Sequence, residues 1–139
     1  MSDFYSEWLE RSEKNEKIVD DAPRIIRSKD LKWVRTRQDY NAALMIAPEL
    51  GFPTGGSCLM RAEIPVGWHT GKHLHGEEAM YVESGEGFMI LDDKRYDFFP
   101  GTVIHVPYRS KHQLFNTGKD PVGYLSGLAW HLEADVYMG

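Results

Sequence analysis

The sequence predicts an all-β fold, a small antiparallel sandwich or barrel that follows an N-terminal arm. From Ser57 onward, Pro, Gly or Asp interrupts short apolar runs about every eight to twelve residues. These runs lack the periodicity of amphipathic helices. The chain has 139 residues, 42% of them hydrophobic and 12% aromatic, which is sufficient for one domain with a sizeable core.

Residues 1–50 are predicted to form the arm, and residues 51–139 the barrel domain. The composition and spacing of the chain change near this boundary. No internal repeat, low-complexity tract or linker divides the second part. The barrel is therefore expected to be a single folding unit.

The arm contains two predicted elements. Phe4, Trp8 and Leu9 share one face of a short helix, which Ser2 would cap. The segment KDLKWVRT, residues 29–36, is typical of a short strand. Because the aromatic side chains give the arm more apolar surface than a free tail carries, we expect it to pack on or across the barrel.

The strands of the barrel domain are expected in six apolar runs. Each run is short and is bounded by turn residues, as in antiparallel folds. In chain order they are SCLMRAEIPVG, AMYVESGEG, FMILDDKRYDFFPG, TVIHVPYRS, HQLFNTGKDP and VGYLSGLAWHL.

Charge and composition exclude several classes of function. The net charge of -5 comes without a basic stripe, which argues against nucleic acid as a partner. No apolar stretch approaches the roughly 20 residues that span a bilayer, and the start lacks the features of a secretory signal. The lone Cys58 is consistent with a reducing compartment, so we expect a cytoplasmic protein. No phosphate loop or nucleophile motif is present.

Histidines and a glutamate indicate a metal site. His73 and His75 stand two residues apart, so on a strand both imidazoles leave the same face and can bind one ion. His112 follows a glycine-strand-proline unit, and its strand is expected to cross the barrel so that His112 faces this pair. Glu78 would then complete a set of three histidines and one carboxylate.

At residues 57–127 the chain resembles a single-domain cupin. The first cupin motif, G-x5-H-x-H-x(3 or 4)-E-x6-G, is followed by Gly67, His73, His75, Glu78 and Gly85. Only two residues separate His75 from Glu78, one fewer than in the motif.

The second cupin motif, G-x5-P-x-G-x2-H-x3-N, is matched by Gly101, Pro107, His112 and Asn116. Arg109 stands where this motif has glycine and places a cation near the pocket rim. Both motifs occur in the family's order, which makes the resemblance specific.

The resemblance implies a small jelly-roll β-barrel with one divalent metal ion per chain. Its ligands would be His73, His75, Glu78 and His112. Since this set contains no thiolate, a closed structural zinc site is disfavoured. Fe2+ is favoured, while Mn2+, Ni2+, Zn2+, Co2+ and Cu2+ are chemically acceptable.

Strand alternation selects Glu78 rather than Glu77 as the carboxylate ligand. If Glu78 points inward, Met80 and Val82 follow it as apolar wall. Tyr81 and Glu83, which alternate with these residues, then face solvent. The opposite choice would bury the Glu83 carboxylate at a cost of roughly several kcal/mol unless it were paired.

Three further residues are candidates for catalytic roles. Arg61 and Arg109 are suited to binding a substrate carboxylate, as arginine does in bidentate pairs. His105 is a candidate supporting group near the metal. Ordinary structural roles are the alternative for all three. The apolar candidates for the pocket wall are Met80, Val82, Phe115 and Trp130.

The predicted function is that of a metal-dependent oxidoreductase of the dioxygenase type, acting on a small aromatic or keto acid. The resemblance also covers redox-silent lyases and isomerases and non-catalytic small-molecule binders, so these alternatives stay open. The expected partners are a small-molecule substrate and a second copy of the chain in a homodimer, with neither nucleic acid nor membrane.

Overall fold

The computed structural model describes residues 3–54, 56–129 and 136–137. Within them one α-helix, α1, spans Phe4–Asp21, and 3₁₀ turns lie at Ser28–Asp30 and Pro48–Leu50. The β-strands of this described part are β1 (Val34–Arg35), β2 (Asn41–Ile46), β3 (Cys58–Ile64), β4 (His73–Leu74), β5 (Glu78–Ser84), β6 (Gly87–Leu91), β7 (Lys94–Phe98), β8 (Val103–Val106), β9 (His112–Asn116), β10 (Val122–Leu128) and β11 (Val136–Tyr137).

These strands form two antiparallel sheets. The first sheet has the strand order β1-β2-β3-β10-β5-β8, and the second has the order β11-β4-β9-β6-β7. Inward-facing side chains of both sheets, such as Met60 and Leu114, belong to one buried core. The predicted all-β jelly-roll architecture is therefore confirmed.

Alternation along the strands separates the core from the outer surface. In β3, Cys58, Met60, Ala62 and Ile64 are buried, and the residues between them are partly exposed. The same pattern holds along β10. Every second residue of β3 and β10 thus lines the interior of the barrel.

Strand β2 was not predicted from the sequence. Its residues NAALMI form an apolar run without alternation, and they fall in the segment assigned to the arm. In the structure β2 pairs with β3, with Ala42 opposite Ala62 and Leu44 opposite Met60. The first sheet therefore includes β1 and β2, and Tyr40, which precedes β2, is buried in the core.

Helix α1 is capped by Asp3, whose carboxylate accepts a hydrogen bond from the Ser6 N–H at 2.7 Å. The predicted cap, Ser2, lies outside the described residues. Phe4 and Trp8 are 78% and 65% exposed, so the residues that the structure describes do not cover this face of the helix. No helix among the described residues combines the length and apolar character needed to cross a membrane.

Turn geometry divides one run that the sequence presented as continuous. FMILDDKRYDFF forms a hairpin, with β6 and β7 joined at Asp92 and Asp93, which have φ values of 49° and 66°. Positive φ at both central residues is typical of a type I′ turn, which matches the twist of paired strands. Gly85 also has positive φ, 78°, and joins β5 of the first sheet to β6 of the second.

Candidate metal centre

Three buried histidines converge inside the barrel. His73 in β4 is the direct cross-strand partner of His112 in β9, and His75 lies just beyond the end of β4. One ring nitrogen from each histidine lies within 4.8 Å of the others. This spacing suits three nitrogen ligands of a single ion.

Main-chain carbonyl oxygens orient each of these rings. Because a carbonyl oxygen can only accept, the Nδ1 of each ring carries the proton and donates it, which leaves the Nε2 lone pair available. The donor-acceptor pairs are His73–Gly71 at 2.8 Å, His75–Gly76 at 2.7 Å and His112–Ser110 at 2.8 Å.

Burial favours the neutral state of two of the imidazoles. It lowers the pKa of the His112 ring to about 4, and the charge of His73 adds to this effect. Burial also lowers the pKa of His73 from its ordinary value. Neutral imidazoles are the form that binds metal ions, so these rings need not lose a proton near neutral pH.

Glu78 is the first residue of β5, and its carboxylate is buried beside the histidines. Its Oε2 lies 3.1 Å from His75 Nε2, and its Oε1 accepts a hydrogen bond from Ser126 Oγ at 2.6 Å. Burial by itself raises the pKa of the Glu78 carboxyl, but the hydrogen bonds from His75 and Ser126 and the electrostatic effect of the His75 and His112 rings lower the pKa overall. The carboxylate is thus held in its ionised form.

The contact between His75 and Glu78 requires a cation. With its proton on Nδ1, a neutral His75 ring presents a lone pair to the carboxylate oxygen 3.1 Å away. Two acceptors at this distance repel each other unless a proton or a metal ion lies between them. The three histidine nitrogens fit a divalent ion, and the Glu78 oxygen beside His75 would be the nearest carboxylate ligand.

Glu77 and Glu78 point in opposite directions, as alternation predicted. Glu78, Met80 and Val82 are buried, whereas Tyr81 lies on the outer face. Glu77 is exposed and accepts a hydrogen bond from His105 Nε2 at 2.9 Å. The inward carboxylate is the one beside the histidines.

The structure does not bring Arg61 or His105 to the histidine cluster. Both side chains occupy outward positions of their strands, because their neighbours in β3 and β8 fill the inward positions. Arg61 instead forms an ion pair with Glu83 at 2.5 Å on the outer face of the first sheet. The catalytic roles expected for these two residues therefore stay predictions that the histidine cluster does not support.

Arg109 contributes its main chain rather than its side chain to the region of the centre. Its φ is 59°, the left-handed conformation in which glycine is unstrained, which accounts for glycine at this position of the motif. The Arg109 N–H donates to the His75 carbonyl oxygen at 2.9 Å, and the side chain is exposed. The residue thereby helps to hold the loop that carries His75.

Asn116, the last residue of the second motif, has a structural role. Its Nδ2 donates to the carbonyl oxygens of Ile64, Pro65 and Asp120 at 2.9–3.2 Å. Its Oδ1 accepts from the Gly118 N–H at 3.0 Å. These bonds join the end of β9 to the loop after β3.

Two residues near the centre were missed in the sequence. Ser126 contacts Glu78, and a polar residue between inward apolar positions of VGYLSGL was an available signal. Tyr40 lies beside His73, with 6.4 Å between ring centroids, and Tyr124 lies 6.4 Å from Tyr40. No local pattern indicated Tyr40, because its position depends on the pairing of β2.

The predicted pocket wall is only partly supported. Met80 and Val82 face the interior. Phe115 instead lies on the outer face of the second sheet, where it stacks on Phe88 with 4.6 Å between ring centroids. Trp130 lies outside the described residues.

A family comparison identifies the region that carries the centre. Residues 60–127 match the family model described as the cupin domain. The chain is 35% identical over 69 residues to an uncharacterised protein of Methanocaldococcus jannaschii. The matched region covers 48% of this chain and 55% of that protein. The chain thus spans about half the length of this curated relative.

Solved structures share the fold at low sequence identity. A predicted oxalate decarboxylase from Thermotoga maritima has a TM-score of 0.64 and 22% identity, over 74% of this chain and 96% of its own. Polyketide cyclase RemF from Streptomyces resistomycificus has a TM-score of 0.68 and 17% identity, and the match covers 84% of this chain and 87% of RemF. The oxalate decarboxylase of Lactobacillus farciminis has a TM-score of 0.73 and 21% identity, and the match covers 85% of this chain and 36% of that protein. Such identities establish the fold alone.

Proposed function

Because the chain carries a cupin domain, we propose that it is a metal-dependent cupin enzyme whose ligands are His73, His75, Glu78 and His112. The observation that supports this most strongly is the convergence of three buried imidazoles whose Nδ1 atoms donate to the main chain. The reaction proposed is a dioxygenation of a small aromatic or keto acid. In such a reaction O2 is the oxidant, and both of its oxygen atoms enter the product.

The charges in the barrel support an acidic substrate. Three neutral imidazoles and one carboxylate leave a divalent ion with a net positive charge and, at six-coordination, with two open positions. Among the lysines and arginines whose side chains the structure describes, none is buried. The ion would thus be the cation that binds substrate oxygens and activates them as a Lewis acid or redox partner.

The protein groups around the centre would exclude water and hold the ligands. Apolar side chains such as Met80 form the interior, and a low local dielectric strengthens the interactions of a bound anion. The carbonyl oxygens of Gly71, Gly76 and Ser110 keep the imidazoles oriented. Fe2+ is the metal proposed, since imidazole and carboxylate ligands suit it.

A redox-silent lyase or isomerase is the second candidate, and one observation favours it. Tyr40 lies in the core beside His73, so a phenol ring is close to the centre, and Tyr124 lies next to Tyr40. A tyrosine in this position can move a proton to or from a substrate carbon or oxygen. Such a reaction consumes no O2.

Metal analysis and oxygen uptake separate these candidates. We would purify the protein without chelators, measure its metal content, and follow O2 consumption with a panel of small phenolic and keto acids. Iron together with uptake of one O2 per substrate supports the dioxygenase. Turnover without O2 supports the lyase or isomerase, and absence of bound metal after loading contradicts both. Glu77→Ala serves as a matched control, because it removes a neighbouring carboxylate from the outer face.

We also propose a homodimer in which α1 packs on or across the partner barrel. Phe4 and Trp8 are exposed on α1, and Trp33 is exposed in the segment that follows. On the outer face of the first sheet, Tyr81 and Val103 are exposed cross-strand neighbours. Contact between such surfaces would remove apolar area from water.

A further inference from the structure

Ser126 is a polar residue within an apolar row. On the inward face of β10 its neighbours Val122, Tyr124 and Leu128 are buried members of the core. The Ser126 side chain is fully buried as well. Since a hydroxyl without a partner is costly in such a place, its hydrogen bond defines its role.

That hydrogen bond is made to one oxygen of the Glu78 carboxylate. Ser126 Oγ lies 2.6 Å from Oε1, a distance typical of a hydroxyl donating to an ionised carboxylate. The other oxygen, Oε2, faces His75 Nε2 at 3.1 Å. The two oxygens of Glu78 therefore have different environments, one turned to the protein and one to the histidine cluster.

From this arrangement we infer that Ser126 is a positioning residue that makes Glu78 a monodentate metal ligand through Oε2. This inference rests on the proposed metal site. By engaging Oε1, the hydroxyl withholds the second oxygen from the ion and fixes the rotation of the carboxylate. Outer groups of this kind orient ligands and typically change metal affinity by about 10- to 100-fold.

Monodentate binding has a consequence for the substrate. Three imidazole nitrogens and one carboxylate oxygen occupy four positions, so a six-coordinate ion keeps two positions open. A bidentate Glu78 would leave one. The Ser126 hydrogen bond thus favours a substrate that binds through two oxygens, such as a 2-keto or 2-hydroxy acid.

The test uses Co2+ as the probe in the full-length protein. Calorimetric titration gives its dissociation constant, and the visible absorption of bound Co2+ reports its coordination. Infrared spectra of protein with ¹³C-labelled glutamate give the frequency separation between the two carboxylate stretching bands. This separation widens when a carboxylate binds metal through one oxygen and narrows when it binds through two. For Ser126→Ala we expect affinity to fall by about 10-fold or more, the Co2+ spectrum to change, and the separation to narrow toward the bidentate pattern.

Two variants separate positioning from folding. Ser126→Thr retains a hydroxyl and should keep the wild-type infrared pattern even if crowding lowers stability. Thr70→Val removes another buried hydroxyl, one that accepts from the Leu114 N–H rather than contacting Glu78, and should leave both spectra unchanged. Circular dichroism of the metal-free proteins verifies folding.

Unchanged affinity and spectra in Ser126→Ala would overturn the role of Ser126 while leaving the metal site intact. Weaker affinity with unchanged infrared and Co2+ spectra would also overturn it, because it indicates a purely structural serine. Failure of the wild type to bind Co2+, Fe2+ or Mn2+ would instead overturn the proposed metal site itself.

Discussion

Glu77 and Glu78 are consecutive in the chain but lie on opposite faces of the first sheet. Glu78 accepts the Ser126 hydroxyl inside the barrel, and Glu77 accepts the His105 ring outside it. This separation follows from the alternation of side chains at the start of β5, where Glu78 is the first residue and Glu77 immediately precedes it. It provides two adjacent carboxylates with different expected roles, one of which is an internal control.

The first prediction concerns these two carboxylates. Glu78→Ala should lower metal affinity by about 10-fold or more, because it removes a ligand. Glu77→Ala should leave the site loaded, since only its contact with His105 is lost. Metal content after dialysis against a weak chelator measures both. Equal occupancy in the two variants, or loss in Glu77→Ala alone, would contradict the assignment.

The second prediction concerns the pH dependence of the metal-free protein. Because folding lowers the pKa of His112 from 6.5 to about 4, the unfolded chain binds more protons between these values. Stability should therefore fall as pH decreases from 6.5 toward 4. The difference between the two pKa values corresponds to about 3 kcal/mol of unfolding free energy. Urea titrations at several pH values in EDTA measure it.

His112→Gln provides the control for this pH dependence. Glutamine does not titrate, so the variant should lose the part of the slope that His112 contributes. The same slope in both proteins would show that other groups produce it. Well above pH 6.5, at about pH 8, His112 is neutral in both the folded and the unfolded wild type, and this ring should contribute no slope.

The third prediction concerns the left-handed residue Arg109. Arg109→Gly should change the unfolding free energy by less than about 1 kcal/mol, because relief of strain offsets the greater freedom of the unfolded chain. Arg109→Val should destabilise by about 1 to 2 kcal/mol, since a branched side chain is disfavoured at this φ. The loop holding His75 would also shift in Arg109→Val, so its metal affinity should fall.

Thermal unfolding and Co2+ titration of the two Arg109 variants measure these effects. If Arg109→Gly retains full metal affinity, the exposed guanidinium is not needed to bind the ion. A loss of affinity in Arg109→Gly equal to that in Arg109→Val would instead assign a role to the side chain. Arg61→Ala is the surface control, since an exposed ion pair contributes about 0–1 kcal/mol.

The fourth prediction concerns assembly. The chain should sediment as a dimer at micromolar concentration, and removal of residues 1–20 should give a monomer that still binds metal. Trp8→Glu is a milder change that places a charge on the exposed face of α1 and should weaken the dimer. A monomeric wild type would contradict the dimer, and a dimeric truncation would exclude the arm as its contact.

Several features of the site followed from the sequence because they depend on local alternation. Residues two apart on a strand share a face, so His73 and His75 were expected to point together and Glu78 to point inward. The same rule, applied to the apolar residues around Arg61 in β3, would have placed that arginine outside. The role expected for Arg61 rests on the chemistry of its guanidinium, which does not specify the face of the strand on which the side chain lies.

The sequence by itself determined where most of the barrel strands lie and which side chains share a face. Both are properties of a few consecutive residues. Only the tertiary structure decided which strands are neighbours. The pairing of β4 with β9 sets His73 opposite His112, and the packing of β10 beside β5 brings Ser126 to Glu78. Register between distant strands arises from contacts across the whole core, and no short window of sequence contains them.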